Sequence, residues 1–226
     1  MSTNLTTEME AGMSKLRFGI TMSLDGYVAG PNQSVKEPLG VGGEALHDWV
    51  VELEAWRASH GKSGGETNAS SAVFQEWYAN LGATIMGRNM FGGHPGPWDA
   101  KSPWQGWWGK NPPFHHPVFV LTHHPREPLK LEGGTTFHFV TTGIEDALDQ
   151  ARKAAGGKDV HLSGGAKVAQ QYLAAGLVDA MELNMAPILL GGGERLFERV
   201  GDNLHGLELV RTVATPKVVH LRFERS

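Results

Sequence analysis

One segment of the chain passes from a strand pattern through two glycines into a helix pattern: Asp159-Val160-His161-Leu162-Ser163-Gly164-Gly165-Ala166-Lys167-Val168-Ala169-Gln170-Gln171-Tyr172-Leu173. Glycines at a strand-to-helix junction let a backbone or a ligand approach closely, because neither residue carries a Cβ. The helix that follows directs unpaired N–H groups and the positive end of its dipole toward the same point. This pattern predicts a site for a phosphate or pyrophosphate. The alternative is a tight turn whose glycines serve backbone geometry alone.

Strand and helix patterns alternate along the rest of the chain. Strand patterns cover 16–23, 83–86, 118–122, 135–140 and 181–185, helix patterns cover 44–59, 70–81 and 144–155, and a hairpin pattern covers 207–213 and 217–223. Ser70 or Ser71 is the expected N-cap of the second of these helices. The unbroken apolar run at 118–122 is typical of a strand buried on both faces of a parallel sheet. We therefore predict a three-layer α/β/α fold with a mostly parallel central sheet and an antiparallel C-terminal edge.

The length and composition of the chain restrict its class. Its 226 residues fit a single domain, which we place at 15–226 after a disordered N-terminal extension at 1–14. The absence of cysteine excludes disulfides, thiolate nucleophiles and zinc–thiolate sites. A net charge of -4 argues against general nucleic-acid binding, and no apolar run reaches the roughly 20 residues of a membrane span. We expect a cytoplasmic protein that binds neither nucleic acid nor membrane.

Four separated motifs occur together: Met22-Ser23-Leu24-Asp25-Gly26-Tyr27-Val28-Ala29, Ile85-Met86-Gly87-Arg88-Asn89-Met90-Phe91, Leu162-Ser163-Gly164-Gly165-Ala166-Lys167, and Pro187-Ile188-Leu189-Leu190-Gly191-Gly192-Gly193-Glu194-Arg195-Leu196-Phe197. In this order and spacing they resemble the dihydrofolate reductase-like superfamily. The more similar branch includes the reductase domain of the bifunctional riboflavin-biosynthesis deaminase/reductase. The resemblance runs from Leu16 to the C-terminus. It implies an NADPH-dependent reductase that transfers hydride to a C=N or C=O bond of a small molecule.

The resemblance also implies a set of cofactor-binding residues. Arg88 matches the arginine that grips the adenosine 2′-phosphate, and Thr122 matches a hydroxyl on the same phosphate. A planar guanidinium fork suits a phosphate dianion, although most arginines are simply solvated surface residues. The glycine pair matches the pyrophosphate site. The full set implied for the cofactor is Thr21, Val28, Ala29, Gly87, Arg88, Asn89, Thr122, His123, Gly164, Gly165, Ala166 and Lys167.

The catalytic half of the chain departs from the family pattern. Dihydrofolate reductases place a carboxylate where this chain has Ser71, and riboflavin reductases usually have a lysine where it has Tyr27. Both departures argue against the substrates of those enzymes. Asp25 is the best-placed carboxylate for catalysis, although an aspartate in such a turn is more often a turn-former. The proton donor remains open between Asp25, Tyr27 and water.

Tyr27, Trp98 and Glu194 are the predicted substrate-binding residues. Glu194 could instead be a first-turn helix charge. Trp98 belongs to the segment 92–117, whose prolines exclude a long regular element and whose tryptophans include Trp104, Trp107 and Trp108. We interpret 98–108 as a lid or wall that selects a flat apolar substrate. The alternative is a satellite cluster that covers the core.

Other classes of function remain open. One is an NADP(H)-binding sensor or scaffold without catalysis, which the missing helix carboxylate would suit. Another is a metal-dependent hydrolase built on the pairs His115-His116 and His123-His124. Adjacent side chains on an extended segment point to opposite faces, so such a pair does not chelate by itself, and we predict no metal. A homodimer is expected on the resemblance alone.

Overall fold

The computed structural model describes residues 14–202 and 204–226. The predicted disordered extension at 1–14 lies outside these residues except for its last position. That residue, Ser14, is buried, and its carbonyl oxygen accepts a hydrogen bond of 3.2 Å from Nε of Arg152. Within the described ranges, no helix combines the length and the apolar character that crossing a membrane requires.

The strands and helices follow the alternation expected from the sequence. The strands are β1 (Leu16–Ser23), β2 (Tyr27–Ala29), β3 (Leu81–Gly87), β4 (Pro117–Leu121), β5 (Leu129–Lys130), β6 (Thr136–Val140), β7 (Asp159–Gly164), β8 (Ala180–Ala186), β9 (Glu194–Arg195), β10 (Leu207–Ala214) and β11 (Val219–Arg225). The α-helices are α1 (Asp48–Val51), α2 (Glu54–Ser59), α3 (Ala69–Tyr78), α4 (Arg88–Phe91), α5 (Ile144–Ala155) and α6 (Ala166–Ala174). Short 3-10 turns cover Gly43–His47 and Glu132–Gly134.

The main sheet is mostly parallel, as predicted. Its strand order is β10-β11-β8-β1-β7-β3-β4-β6-β5. The strands from β8 to β6 in this order pair in parallel, while β11 and β10 add an antiparallel C-terminal edge. The short strand β5 makes a second antiparallel edge, which the sequence did not predict. A separate two-stranded sheet joins β2 to β9.

Helices cover both faces of this sheet. Phe18 of β1 is fully buried in one hydrophobic cluster with Leu148 of α5 and Tyr172 of α6. The next residue, Gly19, faces Trp77 of α3, since a Cβ built on Gly19 would lie 2.3 Å from the indole Nε1. Successive side chains of a strand point to opposite faces, so α3 lies on the face opposite α5 and α6. The three-layer prediction is confirmed.

The start of α3 differs from the predicted one. The N-cap is Asn68, whose Oδ1 accepts from the N–H of Ser70 at 2.9 Å. Ser71 completes the capping box, because its Oγ accepts from the N–H of Asn68 at 3.0 Å. The helix ends at Tyr78, three residues before the predicted end.

The predicted single helix at 44–59 is wrong. The structure has a 3-10 turn followed by α1 and α2, with a break at Leu53. Leu53 is extended, with φ -69° and ψ 134°, and forms an isolated bridge with Glu66. The N–H of Glu54 donates to the carbonyl oxygen of Glu66 at 3.0 Å, so tertiary pairing overrides the helical periodicity at this point.

Candidate functional site

A cleft of about 770 Å³ runs along the carboxyl ends of four parallel strands. Thr21 near the end of β1, Gly87 at the end of β3, Thr122 after β4 and Gly165 after β7 all line it. Ligands of open α/β sheets usually bind outside this edge, where the strands end and the helices begin. We call this space the long cleft.

The long cleft gathers almost the whole predicted cofactor set. Of that set, the residues lining it are Thr21, Val28, Ala29, Gly87, Arg88, Asn89, Thr122, His123, Gly165, Ala166 and Lys167. Gly164 is the exception, since it is buried and is not part of the lining. Glu194, predicted to bind the substrate, also lines the cleft. The structure therefore brings together residues that are more than 140 positions apart in the sequence.

The glycine pair leaves open space at the start of α6. Gly165 is the N-cap, with φ -70° and ψ -168°, and a Cβ built on it would meet no atom within 4 Å. Its carbonyl oxygen accepts from the N–H groups of Val168 and Ala169, both at 3.1 Å. The N–H groups before Val168 precede the first intrahelical hydrogen bond and are free to bind an anion. Nζ of Lys167 lies in the same first turn, 4.0 Å from Oε1 of Glu194.

Arg88 lies half-buried at the start of α4 with part of its guanidinium unpaired. Nη1 donates to the carbonyl oxygen of Gly92, Nη2 donates to that of His94 at 2.9 Å, and Nε is buried without a partner among the described residues. The guanidinium stacks over Trp98, 3.6 Å from the ring centroid, and that of Arg126 lies 5.0 Å from the same ring. Burial first, and then the charge of Arg126, lower the pKa of Arg88. An anion bound here would offset this excess of positive charge.

Thr122 lies just past the end of β4, where the family resemblance implies a phosphate-binding hydroxyl. It is buried, and its Oγ1 accepts from the N–H of His124 at 3.2 Å. Because that bond uses a lone pair, the hydroxyl proton can still be donated to a ligand in the long cleft. The neighbouring His123 is exposed and also lines the cleft.

Asp25 braces a turn and does not line the long cleft. The hydroxyl of Ser23 donates to its Oδ1 at 2.6 Å, and the N–H groups of Leu190 and Gly191 donate to its two oxygens at 3.1 and 2.7 Å. These bonds, that of Ser23 above all, lower the pKa of Asp25 to about 2. A carboxyl with such a pKa stays ionised near neutral pH and is a poor proton donor. The prediction of Asp25 as a catalytic acid is not supported, and the turn-forming alternative agrees with this geometry.

Two of the predicted substrate-binding residues also lie away from the described lining of the long cleft. The ring of Tyr27 stacks under the guanidinium of Arg195, 4.5 Å from it. Trp98 donates its Nε1–H to the carbonyl oxygen of His124 at 2.9 Å and packs against Phe91 and Phe139. In this structure both side chains support neighbouring segments.

The tryptophan segment contributes to the wall of the long cleft through other residues. Trp107 and Trp108 line the cleft, and Trp107 is fixed by a 3.0 Å hydrogen bond from its Nε1 to the carbonyl oxygen of Met90. Trp104 donates in the same way to the carbonyl oxygen of Phe91 at 2.8 Å. These bonds hold the irregular segment against α4.

A smaller cavity of about 190 Å³ adjoins the long cleft beneath α3. We call it the inner cavity. The two spaces share the lining residues Ile20, Thr21, His47, Met90 and Ser163. Trp77, His161 and Glu182 line the inner cavity, and none of them belongs to the predicted site residues. The sequence contains a signal for a polar sheet face, because polar residues recur at every second position of several strands. The segments are Thr21-Met22-Ser23, His161-Leu162-Ser163, Glu182-Leu183-Asn184 and His220-Leu221-Arg222.

The histidines of the pair His115-His116 make separate hydrogen bonds. Nε2 of His116 pairs with Oγ1 of Thr84 at 2.8 Å, and Nδ1 of His115 pairs with the carbonyl oxygen of Gly133 at 2.8 Å. Over residues 14–202 and 204–226, no group of three or more histidine, aspartate or glutamate side chains is arranged to hold a metal ion.

Comparison with protein families assigns the chain to a known group. A family model described as the RibD C-terminal domain matches residues 14–221. The chain belongs to this family. Comparison with curated protein sequences found no match. The match to the RibD C-terminal domain confirms the motif resemblance to the riboflavin-biosynthesis reductase branch.

Several solved structures share the fold of this member of the RibD C-terminal domain family. A putative riboflavin biosynthesis protein from Shewanella sp. PV-4 is similar with a TM-score of 0.56 and 20% identity, covering 94% of this chain and 99% of the other. Dihydrofolate reductase from Enterococcus faecalis, complexed with NADP(H), gives 0.50 and 15% identity, covering 95% and 98%. The dihydrofolate reductase-like fold is confirmed.

A third similar structure is a longer protein. It is a diaminohydroxyphosphoribosylaminopyrimidine deaminase/5-amino-6-(5-phosphoribosylamino)uracil reductase from Thermotoga maritima, with a TM-score of 0.52 and 13% identity. The match covers 95% of this chain but only 57% of that protein. The likeness concerns the fold of the shared part.

Proposed function

We propose that this chain is an NADP(H)-dependent reductase that transfers hydride to a C=N or C=O bond of a small molecule. The supporting observation is the long cleft, in which residues at the ends of four parallel strands and at the start of α6 converge. That convergence suits an extended dinucleotide with two separate phosphate positions. Family membership supports the same class of reaction.

The residues of the long cleft fit the parts of such a cofactor. The open space at Gly165 and the free N–H groups that begin α6 suit the pyrophosphate. Arg88, with its buried unpaired Nε, and the Thr122 hydroxyl suit a 2′-phosphate. Thr21, Val28 and Ala29 would surround the nicotinamide and its ribose.

The division of chemistry follows from these roles. The cofactor, when bound, supplies the hydride. The protein binds and orients the cofactor and the substrate, and it excludes water from the reacting atoms. The pKa of Asp25 is near 2 and the ring of Tyr27 lies away from the long cleft, so water is left as the source of the accompanying proton.

Substitution of Arg88 by alanine tests the cofactor assignment. Removing one charge-assisted phosphate contact weakens binding by about tenfold or more. We expect that loss for NADPH, measured by quenching of tryptophan fluorescence, and little change for NADH, which lacks the 2′-phosphate. The matched control is Arg199→Ala, because Arg199 is exposed and does not line the long cleft. Unchanged NADPH affinity in Arg88→Ala would contradict the assignment.

A non-catalytic NADP(H)-binding sensor or scaffold is the second candidate. The observation in its favour is that the carboxylate of Asp25 accepts hydrogen bonds from the backbone of a neighbouring turn. The first motif is therefore left without an available acid. Screening NADPH consumption against carbonyl and imine compounds separates the two candidates. Tight NADPH binding with no turnover on any compound would favour the sensor.

A further inference from the structure

Trp98 connects the two loops that carry the proposed 2′-phosphate site. Its Nε1 donates to the carbonyl oxygen of His124 at 2.9 Å, in the loop that begins with Thr122 after β4. The guanidinium of Arg88, at the start of α4, lies over the same indole at 3.6 Å from the ring centroid. One side chain therefore supports the arginine directly and also holds the backbone that follows the proposed phosphate-binding hydroxyl.

The guanidinium of Arg88 is fixed in place with donors left over. Nη1 donates to the carbonyl oxygen of Gly92, and Nη2 donates to that of His94 at 2.9 Å. Each terminal nitrogen of a guanidinium carries a second N–H, so one N–H on each remains for a ligand. Bidentate binding of a phosphate requires these two groups to face it in one plane. The flat indole beneath the guanidinium sets that plane.

The ring of Trp98 is itself held by the hydrophobic core. It makes edge contacts with Phe91 and Phe139, at 5.8 and 5.0 Å between ring centroids. Phe91 is fully buried, and Phe139 belongs to β6 of the main sheet. Edge-to-face pairs of aromatic rings at such distances are favourable. The indole is therefore a firm support for Arg88, although it belongs to a segment without regular structure.

A second arginine lies against the same indole. The guanidinium of Arg126 is 5.0 Å from the ring centroid of Trp98, and its Nη1 donates to the carbonyl oxygen of Trp104 at 2.5 Å. Over residues 14–202 and 204–226, neither Arg88 nor Arg126 forms an ion pair with a carboxylate. Two half-buried cations without a counterion cost free energy, part of which the indole face offsets. Such an arrangement is typical of a site whose anion arrives with the ligand.

An arginine that is already aligned binds a phosphate more tightly than a mobile one. A side chain that is free to rotate loses rotamer freedom on binding, and this loss weakens binding by about two- to tenfold. Trp98 removes that cost before the ligand arrives. NADH lacks the 2′-phosphate, so its binding does not depend on the alignment of Arg88.

We propose that Trp98 is a positioning residue that aligns the Arg88 guanidinium for a 2′-phosphate and thereby sets the preference for NADPH over NADH. This inference rests on the proposed reductase function and adds a residue that determines the choice of cofactor. It gives Trp98 a role at the adenosine end of the cofactor, in place of the substrate-binding role expected from the sequence.

Replacement of Trp98 tests the proposal by calorimetric titration with NADPH and with NADH. Trp98→Leu removes the indole face and its donor, so the affinity for NADPH should fall by about fivefold while that for NADH is unchanged. Trp98→Phe keeps an aromatic face under Arg88 and should retain most of the preference for NADPH. An equal loss for both cofactors in Trp98→Leu, or an unchanged preference, would overturn the proposal.

The matched control is Trp104→Leu. Trp104 belongs to the same segment, but its indole donates to the carbonyl oxygen of Phe91 and lies outside the lining of the long cleft. This variant should keep the preference of the unmodified protein for NADPH. If it loses the preference as fully as Trp98→Leu, the effect belongs to the whole segment and the proposal is wrong.

A double-mutant cycle shows whether Trp98 acts through Arg88. In the Arg88→Ala background, Trp98→Leu should cause no further loss of NADPH affinity, because the group that it aligns is already absent. Additive losses would overturn the proposal. If Trp98→Leu does not fold, Trp98→Met, whose flexible side chain fills irregular space, replaces it in both measurements with the same expected results.

The two proposals fail in different ways. If Arg88→Ala leaves NADPH affinity unchanged, the cofactor assignment fails, and the role of Trp98 fails with it. If Arg88→Ala weakens NADPH binding but Trp98→Leu does not, only the role of Trp98 is wrong and the reductase proposal stands.

Discussion

Substitution of Gly165 by alanine separates the stability of the protein from binding in the long cleft. The backbone of Gly165, at φ -70° and ψ -168°, is accessible to alanine, and the new Cβ would meet no atom within 4 Å. Alanine is a poorer N-cap than glycine, and we expect this difference alone to lower the free energy of unfolding, by roughly 0.5 to 1 kcal/mol. The melting temperature should therefore fall by only a few degrees.

The effect on cofactor binding should be larger. The added methyl group would occupy the open space in which the pyrophosphate is proposed to lie, and overpacking of a close contact costs about 1–3 kcal/mol. This corresponds to a dissociation constant for NADPH that is about 5 to 150 times higher. NADH should weaken by the same factor, because the two cofactors share the pyrophosphate.

Thermal unfolding and fluorescence titration with both cofactors measure the two effects. Gly164→Ala is the comparison variant, because Gly164 has φ +102° and alanine there is strained whatever the space. We expect that variant to lose stability first. A Gly165→Ala protein that binds both cofactors normally would refute the placement of the pyrophosphate. A large loss of stability would refute the open geometry at the start of α6.

Three further outcomes are expected. Gly19→Ala should lower stability by about 1–3 kcal/mol in chemical denaturation, because its Cβ would collide with Trp77; an unchanged midpoint would contradict that contact. Burial lowers the pKa of His220 to about 4 and that of His161 to about 3, so the unfolded chain binds more protons below pH ~6.5. The free energy of unfolding, measured by urea titration at several pH values, should therefore fall as the pH drops from about 6.5 toward 4, and a flat profile would exclude these buried neutral histidines. Asp25→Asn should lower the melting temperature while leaving the rate of NADPH consumption on any accepted substrate nearly intact, whereas a large drop in rate at unchanged stability would restore Asp25 as an acid.

Much of the lining of the long cleft could be predicted from the sequence, because its residues occur in or next to recognisable sequence patterns. The glycine pair of β7 and α6 stands out within a single segment, and Arg88 and Thr122 follow apolar runs that are recognisable as strands. Parallel strands end at one edge of a sheet, and the resemblance to the dihydrofolate reductase-like superfamily implied that these residues share one cofactor.

The strands that line the inner cavity carry an alternating polar pattern, but that pattern does not show which of these residues meet. Glu182 reaches the cavity through the register of β8 against β1 and of β11 against β8, which no local pattern specifies. The break at Leu53 has the same origin, since its partner Glu66 lies in a later loop. The capping box of α3 is present in the sequence as Asn68 followed by Ser71. The predicted N-cap, Ser70 or Ser71, lies two or three residues after the observed one.

The positions of the two spaces within the sheet have a consequence for how this protein can diversify. The long cleft depends on strand ends and on the first turn of α6. Trp77 lies near the end of α3, and His161 and Glu182 lie inside β7 and β8. Substitutions at these positions can therefore reshape the inner cavity without altering the residues that line the strand ends of the long cleft. Evolution or protein engineering could thus retune this chain by exchanging side chains beneath α3 on an unchanged scaffold.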